Sequence, residues 1–242
     1  MLDFDSYTHL TFDCYGTLID WERGILAALR PVLARHGVAV TDDRILELYG
    51  ELEAVAEAGP YRRYRAVLAA VLAGLGARLG FEPSAEEREA FAASVGQWPP
   101  FPDTVEALQA LGRRYRLVIL SNVDDDLFAQ SARHLATDFA AVITAQQAGS
   151  YKPDRRNFRF ALARLGAPPE RVLHVAQSLF HDIAPAKELG LTAVWVNRRH
   201  DRPGFGATPA ATAQPDLEVP DLRTLARLVE GDTPPPLASM DA

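Results

Sequence analysis

Two kinds of hydrophobic spacing run along the chain, and the change from one to the other divides it. From Tyr115 onward, short β-branched or aliphatic runs recur between segments of helical period, the pattern of a parallel sheet covered by helices. The runs predict strands at His9 to Asp13, Arg116 to Ser121, Ala141 to Thr144, Val172 to Ala176 and Thr192 to Val196, each followed by a polar turn. Between the first two lie about a hundred residues rich in Ala, Leu and Arg at helical spacing, namely Ile25 to Arg35, Arg44 to Glu57, Tyr61 to Leu79 and Ala85 to Ser94. A parallel β-α-β crossover needs far fewer residues, so the excess predicts a helical cap inserted over the sheet. Gly96 to Asp103, with three prolines and Trp98, reads as the return hinge. Asp201 to Pro215, rich in Gly, Pro, Ala and Thr, reads as a surface loop, and Thr233 to Ala242 as a frayed end.

Composition narrows the class of partner. A chain of 242 residues, 48% of them hydrophobic, suffices for one sizeable core and a smaller lobe. Its formal net charge of −7 repels nucleic acid and anionic membranes, so neither is an expected partner. An anionic substrate would have to meet a local positive site. The longest apolar run, Ala66 to Ala77, falls well short of the roughly 20 residues that span a bilayer. The first residues, MLDFDSYTHL, are acidic where a signal peptide is basic, and the one cysteine, Cys14, has no partner for a disulfide; both predict a cytoplasmic protein.

Four strand ends carry the candidate chemistry. LTFDCYGTLID puts Asp13 after an apolar strand and before a Gly16-Thr17 turn, at the sheet edge where open α/β folds bind ligands. LVILSNVDDD ends in Ser121 and Asn122 at the start of a helix, a geometry suited to an anion. GSYKPDRRNF supplies Lys152, one of only two lysines with Lys187, and the following Pro153 biases it to an extended backbone. LHVAQSLFHDIAPAKELG offers Gln177, Ser178, His181 and Asp182. Each segment also has a plain reading, since Asp before Gly forms turns and Ser, Asn and Asp cap helices.

In this order, with Asp, Ser/Asn, Lys and Asp, the segments resemble the four motifs of the haloacid dehalogenase superfamily, and the long helical insertion lies where that superfamily places its cap. The resemblance runs on to the VWVNR after the fourth motif. It implies a parallel, Rossmann-like three-layer α/β core formed by residues 1–17 and 97–242, with a cap at 18–96 and the nucleophile on the central strand. It also implies that Asp13, Thr17, Ser121, Lys152 and Asp182 are catalytic, that Tyr15, Asn122 and Ser178 bind substrate, and that the chain forms a homodimer.

Two positions separate the branches of the superfamily. Its phosphatases carry a second Asp, a general acid, two residues after the nucleophile; here that place is Tyr15, whose ordinary pKa of about 10 suits it poorly to the role. The FDCYGTL stretch is similar to the corresponding segment of L-2-haloacid dehalogenases, where the halide leaves without protonation. Mg²⁺-dependent members show Gly-Asp before the fourth-motif Asp; here Ala176 and Gln177 stand there, so metal dependence is not expected. The expected reaction is therefore cleavage of a carbon-halogen bond in a small 2-haloalkanoic acid through an aspartyl ester, without a cofactor. Gln177 and Leu179 depart from the Ser and Asn of well-known dehalogenases at these places, and Arg62, Arg63 and Arg65 are the candidates for the cap arginine that holds the halide. Trp21, Trp98, Tyr151 and Phe180 are candidates for an apolar wall around the reacting carbon. A Mg²⁺-dependent phosphatase, a hydrolase opening a strained C-N ring and a catalytically silent binding protein remain open on the same residues.

Overall fold

In the computed structural model, which describes residues 2–231, six strands form one parallel sheet: β1 (His9–Phe12), β2 (Arg116–Ser121), β3 (Ala141–Thr144), β4 (Val172–Ala176), β5 (Thr192–Val196) and β6 (Leu217–Val219). Their order is β3-β2-β1-β4-β5-β6, so β1 lies between β2 and β4, where the direction of winding reverses. The fold is α/β and Rossmann-like. Five strands lie where the hydrophobic runs predict them, except that β1 ends at Phe12, one residue early, which frees Asp13 from the ladder beyond its N–H bond to Val175 at 3.1 Å. The sixth, Leu217–Val219, was not predicted. It is a three-residue edge strand flanked by Asp216 and Pro220, too short to show a period.

Alternation along the strands builds the layers. On one face, Leu117, Ile119, Leu173, Val175 and Val194 pack with α5 (Thr104–Gly112), α6 (Asp125–Leu135) and α10 (Leu222–Glu230). On the other, Val118, Leu120, Ile143, Val172 and Ala193 meet α8 (Arg155–Leu165) and α9 (Ala184–Glu188). The remaining helix of this part, α7 (Ala145–Ala148), is a single turn.

The segment between β1 and β2 is helical throughout its first part: α1 (Trp21–Arg35), α2 (Asp42–Glu57), α3 (Tyr64–Leu79) and α4 (Ala85–Ala93). Asp20, Thr41 and Ser84 accept from backbone N–H groups of the first turns of α1, α2 and α4, and Ser84 and Glu87 form a full capping box. The segment α3 is apolar on all sides because α2 and α4 sandwich it. The chain leaves and re-enters the sheet through two paired stretches: Asp20 N–H donates to Pro99 O at 2.8 Å and Phe101 N–H to Leu18 O at 3.0 Å. Trp98 fits there because residue 24 is glycine; a Cβ would stand 2.2 Å from the indole. Arg198, from the VWVNR stretch, locks the crossing by donating to Thr17 O and Asp103 while its guanidinium lies 4.1 Å from the Phe101 ring centroid.

Residues 201–215 are a surface loop only in part. Ala207 and Thr208 are buried, and the Ala207 carbonyl rests so close to α2 that only Gly50 leaves room for it. The expected fraying of Thr233 to Ala242 lies outside the described residues.

Candidate active site

The Gly16 turn, with φ at +96°, sends the chain sharply away from β1 and leaves the Asp13 carboxylate at the C-terminal edge of the sheet's central strand. Lys152 reaches it from the loop before α8. Its ammonium, 1% exposed, donates to Asp13 Oδ1 at 2.9 Å, Asp182 Oδ1 at 2.6 Å and Leu120 O at 2.9 Å, which uses all three of its protons. Thr17 Oγ donates to Asp13 Oδ2 at 2.7 Å and accepts from Gln177 N–H at 2.9 Å. Asp13, Thr17, Lys152 and Asp182 are thus brought into one hydrogen-bonded group, and Ser121 joins them at the cavity wall with a buried hydroxyl that meets no partner.

The three residues expected to bind substrate all line the cavity, and each also bonds within the protein. Tyr15 lines the cavity but turns its hydroxyl to Ser131 at 2.8 Å, and its ring meets Trp98 edge-on. Asn122 holds the main chain of Lys152, accepting from its N–H at 2.7 Å and donating to its carbonyl at 3.0 Å. Ser178 accepts from His181 N–H at 2.8 Å and caps the π-helical turn Leu179–Ile183 that carries Asp182. Asn122 and Ser178 are therefore supports for Lys152 and Asp182. Of the aromatic candidates, Trp21 lines the cavity, Trp98 backs Tyr15, Tyr151 packs against Tyr61 and Tyr64, and Phe180 faces an adjoining cavity.

One residue of the network was missed. His174, fully buried in mid-strand, presents one ring nitrogen to Asp182 at 3.0 Å and the other to Thr11 Oγ at 2.9 Å. A lone polar residue inside the apolar run VLHVA was the available signal.

One cation shared by two carboxylates cannot neutralise both. Burial works to raise Asp182, but Lys152 and the His174 hydrogen bond outweigh it and hold Asp182 below the usual carboxylate range. For Asp13, burial prevails over Lys152, with Asp182 adding to the rise, and its carboxyl lies above that range. Burial also holds His181 down to about 4, so it is neutral at pH 7 and no proton donor there.

The cap lines the opposite wall with acid rather than with arginine. Arg62 donates to Ala56 O, Arg65 pairs with Asp126 at 2.7 Å and Arg63 is exposed; none borders the cavity. In their place stand Glu53 and Glu57, one helical turn apart on α2. Glu53 Oε1 accepts from Tyr49 at 2.8 Å and from Tyr64, and Glu57 accepts from Asn122 at 3.2 Å. Burial raises Glu53 to about 7 and Glu57 well above its ordinary value. Lys152 is the only lysine or arginine among the described residues lining the cavity, and its ammonium is paired with Asp13 and Asp182.

The donor set fits Mg²⁺ poorly. Lys152 stands between one oxygen of each acid, Gln177 is a neutral amide that accepts from Thr208, and among the described residues no group of three or more His, Cys, Asp or Glu is placed to hold a metal. The space enclosed by these walls is about 30 Å³, room for a water or two, against roughly 300 Å³ and more for small-molecule pockets. No helix among the described residues is long and apolar enough to cross a membrane.

A buried aspartate thus stands at the end of the central strand of a parallel sheet, tied to a lysine and a second aspartate beneath a helical insertion. The family model of haloacid dehalogenase-like hydrolases matches residues 7–190, and the chain belongs to that family. It is 36% identical to the phosphoserine phosphatase of Thermus thermophilus over 178 residues, 71% of this chain and 67% of that one. It is 25% identical to the (S)-2-haloacid dehalogenase of Pseudomonas putida over 197 residues, 79% of this chain and 85% of that one. A crystal structure of an L-2-haloacid dehalogenase superposes with a TM-score of 0.75 at 25% identity, covering 92% of this chain and 99% of the other.

Proposed function

We propose that the chain is a hydrolase that attacks carbon, with Asp13 as nucleophile and a carbon-halogen bond as the one it breaks. Ionised Asp13 displaces the halide, which departs with the bonding electron pair, and the Asp13 carboxylate becomes an ester of the substrate carbon. Water then adds at the Asp13 carbonyl, and the ester C–O bond opens at that carbonyl to release an alcohol. Lys152 and Thr17 orient Asp13 and stabilise its negative charge, while the unpartnered Asp182 Oδ2 at the cavity accepts the proton of the water. The single observation that carries this reading is Tyr15. Two residues after the nucleophile, where the phosphatase branch needs an acid, stands a phenol turned away to Ser131 and raised well above its ordinary pKa by burial.

A second reading, hydrolysis of a phosphate ester, is favoured by the similarity to a phosphoserine phosphatase. Water separates the two. In a single turnover with excess enzyme in H₂¹⁸O, on 2-chloropropionate as first substrate, the ester route leaves ¹⁸O in the peptide containing Asp13 and none in the new hydroxyl. Label in the product alone, or turnover of phosphate esters abolished by EDTA and restored by Mg²⁺, would establish the phosphatase instead.

A further inference from the structure

The wall opposite Asp13 poses an electrostatic problem that the protein does not itself solve. Glu53 and Glu57 lie four residues apart on the inward face of α2, a spacing at which like charges repel, and Asp13 and Asp182 line the same cavity. Burying carboxylates is costly unless a cation or hydrogen-bond donors answer them. Every proton of Lys152 is already committed, the neighbouring arginines point elsewhere, and His181 is neutral at pH 7. Phenols answer one oxygen of Glu53 and an amide answers one of Glu57, leaving the other oxygen of each for a ligand.

Two further polar atoms in the cavity lack a partner. Ser121 Oγ and Asp182 Oδ2 are both buried without one, though side chains this deep are almost always bonded. Four carboxyl groups thus line a space that Asp13 must share with its substrate. A simple haloalkanoate would set its own carboxylate among carboxylates. An adjoining cavity of about 280 Å³ shares Glu57 and Lys152 with the first, so a ligand whose reacting carbon lies over Asp13 can extend past Glu57. Its basic rim residue, Arg156, is paired with Asp154.

We infer that Glu53 and Glu57 select a substrate carrying a protonated amine a few bonds from the reacting carbon. An alkylammonium supplies up to three donors and one positive charge, which answers the free oxygens of both glutamates and converts their repulsion into attraction. With no amine bound, the two carboxyls hold protons, as their upward shifts indicate, and binding of a cation releases them. A haloalkylamine, a halogenated amino acid and a strained cyclic amine all meet this description. The inference deepens the carbon-attack reading and, as regards the reaction, rests on it, but recognition can be measured without turnover.

The test compares propylammonium and propionate, unreactive probes of equal length and opposite charge, by titration calorimetry at pH 7 on the full chain. Propylammonium is expected to bind at least about tenfold more tightly than propionate, with a heat that varies with the ionisation enthalpy of the buffer because protons leave the cap. Glu57→Gln and Glu53→Gln, close in shape to the native side chains, should each weaken propylammonium by about tenfold or more and leave propionate no weaker. Preference for propionate, absence of binding by either probe, or unchanged propylammonium affinity in both variants would overturn the inference. Displacement of propylammonium by Mg²⁺ at equal concentration would overturn it too, assigning the glutamates to a hydrated metal ion. Selectivity for propylammonium with no ¹⁸O at Asp13 would leave the recognition standing and remove the mechanism; label at Asp13 with preference for propionate would do the reverse.

Discussion

The two walls of the cavity are built on opposite principles. The sheet wall is bonded largely to itself: Asp13, Thr17, Lys152, Asp182 and His174 bond to one another in a chain that leaves Lys152 no free donor, and Ser121 Oγ and Asp182 Oδ2 stay unpartnered. The cap wall is frustrated, with two glutamates raised above their ordinary pKa and no basic side chain to meet them. A self-contained network holds its own geometry, which suits a side that forms and breaks covalent bonds. A pair of buried carboxyls with no cation of its own gains most when a complementary ligand arrives, which suits the side that selects one. On the reading proposed above, the sheet would set the reaction and the cap the substrate.

Lys152 offers the largest way to break that division. Lys152→Ala leaves Asp13 and Asp182 facing each other without a cation, so both the charge and the position of the nucleophile are lost, and kcat should fall by about 10³-fold or more. Lys152→Arg should not rescue it, because a planar fork cannot occupy the point where one nitrogen meets three oxygens. Steady-state kinetics beside thermal melts checks this: wild-type kcat in the Ala variant would remove Lys152 from the sheet network.

The cap makes a smaller and opposite prediction. Glu53 holds its proton to about pH 7, whereas a carboxyl in the unfolded chain loses it near 4.5. Between those values the folded state binds the extra proton, so this group's contribution to stability is full below the unfolded value and is lost as pH rises through about 7. Glu53 faces Tyr49, Tyr64, Asp13 and Glu57, and Glu57, shifted the same way, adds to the loss. Glu53→Gln should accordingly flatten the fall of Tm between pH 5 and 8 and make the variant the more stable protein at pH 8. An unchanged profile, followed by thermal melts, would show that Glu53 is already ionised in the folded state.

Tyr15 gives the smallest effect and the sharpest reading of the chemistry. Since its hydroxyl serves Ser131 and not the substrate, Tyr15→Phe should keep kcat within about twofold and lose only about 1 kcal/mol of stability, the worth of one hydrogen bond. A large fall in kcat with KM unchanged would place the phenol in the reaction.

What was legible in the sequence follows from local rules. A strand needs only its own hydrophobic run, and five of six strands could be read; β6 could not, being short and held mainly by its register on β5. The nucleophile and its partners were legible because each sits at the end of such a run, where a parallel sheet must gather them at one edge. Glu53 left a trace as well, an acid on the apolar stripe of Ile45, Leu46, Tyr49 and Ala56, but a stripe does not say what faces it.

The sequence by itself determined the sheet, the helical insertion and the list of groups at the sheet's edge. Only the tertiary structure decided which way each side chain is spent: Tyr15 toward Ser131, Asn122 toward the backbone of Lys152, Ser178 toward His181, and the cap arginines away from the cavity. The reason is physical. Spacing fixes where a side chain starts, but its hydrogen-bond partner is chosen among groups distant in sequence. Lys152 meets Asp13 across 139 positions, and no periodicity within either segment reports the charge waiting at the other.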